Sequence, residues 1–186
     1  MTLLSTLTNA STLFLCGLFA MAGLNKVTPA NGDYYREVIH AYGVLNDSRL
    51  QQMPLLIGML ELATALSLLF PMTRYYGTLA ASVLLLVYLG LILAQIARGN
   101  TGIDCGCAGS ARDITISNKL VFRNLLLFLL ALLCFGKNIF LEPGTVLQPL
   151  SIVLAIIMTL LYASIEQLQI NAGKLVIFSN KNTQVN

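Results

Sequence analysis

Two cysteines separated by a single glycine, Cys105 and Cys107, are the residues whose types and spacing most directly suggest chemistry. A disulfide needs its two Cα atoms about 4.4–6.8 Å apart, and residues i and i+2 reach that range only where the chain bends. Gly106 permits the bend because it has no Cβ. The small ring is expected to be strained, and strained disulfides are readily reduced. The pattern therefore predicts a redox pair.

Charged neighbours would tune such a pair in opposite directions. The carboxylate of Asp104 disfavours an adjacent thiolate, whereas nearby basic groups such as Arg98, Arg112 and Lys119 favour it. A metal site is an alternative, but structural zinc takes four Cys or His ligands. The segment offers two Cys, and the single His of the chain, His40, is remote in sequence. Two incidental loop cysteines remain the third alternative, since Cys-x-Cys alone is a weak pattern. We predict no bound metal and no cofactor.

The composition places these cysteines on a membrane protein. Of the 186 residues, 56% are hydrophobic and 10% are charged, whereas soluble domains are about 25% charged. The net charge is +3 and there is no long basic run, so nucleic acid is excluded as an expected partner. The expected surroundings are a lipid bilayer.

Five apolar stretches have the length of a membrane span, which is about 17–25 residues. They cover approximately residues 3–25, 53–70, 75–97, 119–136 and 145–164. Lipid offers the backbone no hydrogen bonds, so each stretch must be helical. The first lacks the basic region of a signal peptide and is expected to be retained. The sequence predicts an all-α, polytopic five-span domain over residues 1–170, followed by a polar, loosely ordered tail over 171–186.

The polar segments are concentrated on the side of the membrane that carries the cysteines. Between the first two spans, Asp33–Leu45 predicts a short amphipathic helix along the membrane surface, with Tyr35 and Val38 among its apolar positions. Small residues inside the spans, such as Gly17 and Gly23, predict close helix packing.

Three ionisable residues lie within the spans or at their ends on this same side. Glu61 lies about eight residues into the second span, or about 12 Å deep at helical rise. Arg123 lies early in the fourth span, and Lys26 ends the first. They are expected to converge beneath the cysteine loop. Either a buried ion pair fixes the helix register, or Glu61, Arg123 and Asp104 tune the cysteines or handle protons.

Two further cysteines, Cys16 and Cys134, lie within the first and fourth spans. An inward electron relay through them is one interpretation. Buried cysteines usually behave as small apolar residues, and we favour that second interpretation.

An ordered set of short motifs runs along the chain. In order, the motifs are Phe19-x-x-x-Gly23-x-x-Lys26, Tyr42-Gly43-Val44-Leu45, Glu61-Leu62, Arg98-Gly99, Asp104-Cys105-Gly106-Cys107-x-Gly109 and Arg123-Asn124. This set resembles the MauE family, the methylamine-utilisation membrane proteins of the broader DoxX-like superfamily. The resemblance covers most of the chain, and Ala108 stands where the family commonly has a bulky aromatic residue.

The resemblance implies a DoxX-like four-helix bundle with a fifth transmembrane helix. It also implies a role in maturing the small subunit of methylamine dehydrogenase, a disulfide-rich periplasmic protein. The expected partner is a membrane-anchored thioredoxin-like protein, and Cys105 and Cys107 would exchange disulfides with that partner or with the client. The alternative function is a non-catalytic assembly or scaffolding subunit for a periplasmic redox enzyme.

Two arguments disagree about the orientation of the chain in the bacterial inner membrane. The positive-inside rule counts Lys and Arg in short loops and places the cysteine side in the cytoplasm. The family role requires these cysteines in the periplasm, where disulfides persist, and on the resemblance we expect a periplasmic loop. The cysteine side carries Lys26, Arg36, Arg49, Arg98, Arg112, Lys119, Lys174 and Lys181, against Arg74 and Lys137 on the other side.

Overall fold

The computed structural model describes residues 2–41, 52–99, 118–135 and 147–183, and the regular elements in these ranges are all helices. A single 3-10 turn, Pro29–Asn31, precedes the second helix. The α-helices are α1 (Thr2–Val27), α2 (Gly32–Ala41), α3 (Met53–Leu69), α4 (Arg74–Ala97), α5 (Asn118–Phe135) and α6 (Leu147–Thr183).

Local sequence explains where α3 and α4 begin and end. Pro54 lies in the first turn of α3, where its missing N–H costs nothing. Pro71 follows the end of α3, because proline cannot continue a helix. After α4, the Arg98 N–H donates to the Ala94 carbonyl, the Gly99 N–H donates to the Ile96 carbonyl, and Gly99 adopts a φ of 78°. A glycine in this left-handed conformation commonly terminates a helix.

Helix α1 is the helix against which most of the others pack. Helices α1, α3, α4 and α5 contact one another in a closed ring, and α6 packs against the outside of α1. The core inside the ring is apolar and includes Phe14, Leu15, Leu68, Leu85 and Leu127. The central position of α1 means that its side chains contact every other long helix.

Three helices are long and apolar enough to cross a membrane by length and composition: Leu3–Val27, Arg74–Ala97 and Pro149–Leu168. They match the predicted first, third and fifth spans. Helix α3 is apolar but shorter, and α5 carries the predicted fourth span. Large apolar side chains such as Leu133, Leu160 and Leu168 are exposed on the outer faces, as lipid contact requires. The structure therefore defines a helical membrane protein, and the count of five spans and the DoxX-like bundle stay predictions.

The close approach of α1 and α3 depends on two glycines. A Cβ added to Gly23 would lie 2.8 Å from the Gly58 carbonyl oxygen, and one added to Gly58 would lie 3.0 Å from that of Gly23. The predicted close packing is confirmed at Gly23. At Gly17 it is wrong, because a Cβ there would meet no atom within 4 Å. Only backbone contact, which a sequence pattern does not reveal, distinguishes these glycines.

Two segments on the polar side refine the sequence analysis. Helix α2 is amphipathic as predicted, with Tyr35 and Val38 buried, while residues 42–45 of that prediction lie outside the described residues. Helix α6 continues to Thr183, so residues 171–183 are helical rather than loosely ordered. This segment contains one glycine and no proline, and an isolated glycine does not stop a helix.

Candidate functional site

The predicted redox residues Asp104, Cys105 and Cys107 lie outside the described residues. Chain connectivity still relates them to the fold. Residues 100–117 join the end of α4 to the start of α5, and these two helices pack side by side. The described part of the site is therefore the set of ionisable residues on the helices around that connection.

The central contact of this site is a buried ion pair between α1 and α3. Lys26 Nζ donates to both carboxylate oxygens of Glu61, at 2.8 and 2.9 Å. The side chain of Glu61 is 1% exposed and that of Lys26 is 9% exposed. The predicted meeting of these two residues is confirmed. Each charge is compensated by the other inside the bundle, which a buried charge requires.

Two tyrosines complete the surroundings of this pair. The Tyr88 hydroxyl of α4 donates to Glu61 Oε1. Lys26 Nζ lies 5.5 Å from the ring centroid of Tyr35 and 5.8 Å from that of Tyr88, within the range of cation–π attraction. Sequence reasoning missed Tyr88. The signal available in the sequence was that Tyr88 lies within a predicted span, as Glu61 does. A carboxylate inside a membrane needs hydrogen-bond donors, and a tyrosine hydroxyl is one.

Arg123 forms a second charged contact, between α5 and α6. One of its terminal nitrogens lies 3.5 Å from Glu166 Oε1, and the side chains are 11% and 6% exposed. Its guanidinium carbon lies 5.1 Å from the ring centroid of Tyr162. Glu166 lies two residues beyond the predicted fifth span, 145–164, and the sequence analysis did not single it out. Its spacing of four residues from Tyr162 was the signal that both lie on one face of α6.

A small cavity of about 40 Å³ connects the two charged contacts. Its wall includes Lys26, Glu61 and Tyr88 on one part and Arg123 and Tyr162 on another. The predicted convergence of Lys26, Glu61 and Arg123 is therefore confirmed as geometry. Their roles in tuning the cysteines or handling protons stay predictions.

A separate polar cluster stabilises the opposite end of the bundle. Arg74 at the start of α4 donates to Asn9 Oδ1 of α1 at 2.7 Å, and Asn9 Nδ2 donates to the Ser5 carbonyl at 2.9 Å. Cys134 of α5 lies beside it, with its sulfur 3.9 Å from the Thr8 carbonyl oxygen. Sequence reasoning did not single out this cluster, because its members are polar residues scattered over three helices.

Replacing Asn9 with Ala is expected to destabilise the bundle by about 0.6–1.7 kcal/mol, the range of interhelical hydrogen bonds measured in membranes. The reason is loss of the acceptor for Arg74. The free energy of unfolding of the purified protein measures the effect. Thr8→Ala is the matched control, because among the described residues the Thr8 hydroxyl bonds within its own helix, to the Ser5 carbonyl. Equal losses from both substitutions would contradict the assignment.

The two described cysteines form no disulfide, and their sulfur atoms contact carbonyl groups on two different helices. Cys16 Sγ lies 3.2 Å from the Ala65 carbonyl oxygen of α3, whereas Cys134 Sγ is directed to Thr8 of α1. Both pack in or against the apolar core. These contacts favour small apolar packing roles over an electron relay.

The class that the fold and the site define is a helical membrane protein with an ion-paired polar network buried between its helices. The family model described as "Methylamine utilisation protein MauE" matches residues 4–136. The chain therefore belongs to the MauE family, which confirms the predicted resemblance. Helix α6, with Tyr162 and Glu166, lies outside the matched residues.

Individual relatives support the same assignment. The chain is 34% identical over 120 residues to the methylamine utilization protein MauE of Paracoccus denitrificans, covering 64% of this chain and 63% of the relative. It is 32% identical over 119 residues to that of Paracoccus versutus, with the same coverage. The protein of Methylorubrum extorquens is 29% identical over 111 residues, covering 60% of this chain and 59% of the relative. These matches span less than two thirds of the relatives' length. No solved structure gives a significant match.

Proposed function

We propose that this protein supports thiol–disulfide exchange through Cys105 and Cys107 during the maturation of an exported enzyme of methylamine metabolism. The expected client is the small subunit of methylamine dehydrogenase. The observation that carries the proposal is the Cys-Gly-Cys sequence in a chain of the MauE family. It lies in the connection between α4 and α5, the helices that contribute Tyr88 and Arg123 to the buried network.

The disulfide exchange takes place in two steps that conserve electrons and protons. A client thiolate attacks one sulfur of the oxidised pair and forms a mixed disulfide, and the second client thiolate then displaces the pair. The client gains one disulfide, and Cys105 and Cys107 leave as two thiols that carry the two electrons and two protons. The disulfide of a membrane-anchored thioredoxin-like partner reoxidises them by the same exchange. This scheme places the connection on the periplasmic side of the inner membrane.

The buried network serves the proposal by holding the helices that present the cysteines. Lys26, Glu61 and Tyr88 join α1, α3 and α4, while Arg123 and Glu166 join α5 to α6. The first set holds α4 against α1 and α3, and the second holds α5 against α6. We propose that Glu61, Arg123 and Asp104 act on the cysteine pair by this positioning and by their charge.

Replacing Cys105 and Cys107 together with Ser is expected to abolish client maturation, because serine cannot form a disulfide. The measurement is the disulfide state of the client in cells, read by alkylation of its free thiols and a shift on a denaturing gel. Cys16→Ser and Cys134→Ser together form the matched control, because both sulfurs pack within the bundle. Full maturation with the Cys105/Cys107 variant would sink the redox proposal and favour the non-catalytic assembly subunit.

A further inference from the structure

The cavity between the two charged contacts is lined by both polar and apolar side chains. The polar ones are Lys26, Glu61, Tyr88, Arg123, Asn124 and Tyr162. Among the apolar ones, Phe19, Leu85 and Leu127 also belong to the apolar core.

Two residues that line the cavity, Arg123 and Tyr88, have hydrogen-bonding capacity that no contact among the described residues uses. Arg123 Nε is buried and has no hydrogen-bond partner among the described residues, and the one Arg123–Glu166 contact is long at 3.5 Å. Tyr88 uses its hydroxyl hydrogen on Glu61, so its oxygen can still accept a hydrogen bond. A buried donor without a partner costs free energy, and native structures usually satisfy such groups with protein or ordered water.

The size and charge of the cavity identify the ligand. A water molecule needs about 10–15 Å³ of such volume and two to four polar partners, so about 40 Å³ holds roughly two or three waters. The charges of Lys26 and Arg123 are already balanced by Glu61 and Glu166. A bound anion would therefore leave an uncompensated charge in the membrane interior, where isolated charge is costly.

We propose that this cavity is a hydration site, in which a cluster of about two or three waters is anchored by Arg123 Nε and the Tyr88 hydroxyl. The waters join the Lys26–Glu61 and Arg123–Glu166 pairs into one hydrogen-bonded network. Helix α6 is part of the site, because Glu166 and Tyr162 hold Arg123 at the cavity. The inference concerns hydration and does not depend on the proposed redox function.

Radiolytic hydroxyl-radical labelling of the full-length protein in lipid nanodiscs tests the proposal, because radicals formed from bound water modify the side chains beside it. Tyr88 and Tyr162 are expected to be modified faster than Leu68, after each rate is divided by the intrinsic reactivity of its residue type. Leu68 is the dry reference, since it is 1% exposed and lies in the apolar core. Tyrosine rates as low as that of Leu68 would overturn the proposal.

Filling the cavity provides a matched pair of variants. Ala22→Leu places a larger side chain in the cavity wall and is expected to reduce labelling of Tyr88 and Tyr162 several-fold. Gly17→Leu lies on the same helix, where a Cβ meets no neighbour within 4 Å, and is expected to leave labelling unchanged. Labelling unaffected by Ala22→Leu would contradict a cavity water.

Discussion

Glu61→Leu is expected to destabilise the folded protein by about 3–5 kcal/mol, the cost of leaving one partner of a buried ion pair uncompensated. Lys26 would keep its charge in a site where its side chain is 9% exposed and where both of its acceptors at 2.8 and 2.9 Å are gone. The Tyr88 hydroxyl would lose its acceptor as well. The free energy of unfolding in mixed micelles, titrated with a denaturing detergent, measures the loss.

Two controls test whether the loss of stability comes from leaving a buried charge without its partner rather than from losing an ion pair. Combining Glu61→Leu with Lys26→Met is expected to recover most of the stability, because apolar replacement of both members of a buried pair is often neutral. Asp33→Ala removes an exposed ion pair with Arg36 of similar length, 2.9 Å, and should cost no more than about 1 kcal/mol. A Glu61→Leu loss as small as that of Asp33→Ala, or a double variant as unstable as the sum of its parts, would contradict the account.

Gly23→Ala is expected to destabilise the protein by about 1–3 kcal/mol, the usual cost of overpacking. The new Cβ would lie 2.8 Å from both the Gly58 carbonyl oxygen and Leu62 Cγ, and backbone cannot rotate out of the way as a flexible side chain can. Helices α1 and α3 would have to separate. That shift would also stretch the Lys26–Glu61 pair, which joins the same two helices.

Gly17→Ala gives the matched control and is expected to change stability in the opposite direction. It lies on the same helix with open space around the added Cβ, so only the higher helix propensity of alanine acts, worth up to about 1 kcal/mol. Unfolding of both variants, titrated with a denaturing detergent, measures whether each substitution lowers or raises the free energy of unfolding. Stabilisation by Gly23→Ala would show that α1 and α3 do not depend on close backbone contact.

Depth along the helices is what the sequence predicts well. Counted from the cysteine side, Lys26 lies at the end of α1, Arg123 lies in the second turn of α5 and Glu61 lies at the middle of α3. This count was enough to predict that their long side chains meet, because membrane helices have few alternatives for buried charge. The helices α1 and α4 were predicted for a similar reason, because long apolar stretches must form helices in lipid.

The direction in which each helix faces is what the sequence leaves undetermined. Tyr88 is one of three tyrosines in α4, and its contact with Glu61 depends on the rotation of α4 against α3. Glu166 was missed because it follows the apolar stretch that ends at residue 164, and hydropathy alone does not show that α6 continues beyond it. The small cavity depends on the packing of five elements at once, and no local pattern encodes that.

Thiol labelling in intact cells tests the central claim most directly. The variant carries Cys16→Ser and Cys134→Ser, so that Cys105 and Cys107 are the only thiols. A membrane-impermeant maleimide is added before and after mild reduction. We predict labelling only after reduction, which would place an oxidised pair on the periplasmic side. Labelling that requires opening the cells would place the pair in the cytoplasm, as the Lys and Arg count suggests. Immediate labelling without reductant would show free external thiols. Either result would contradict the account.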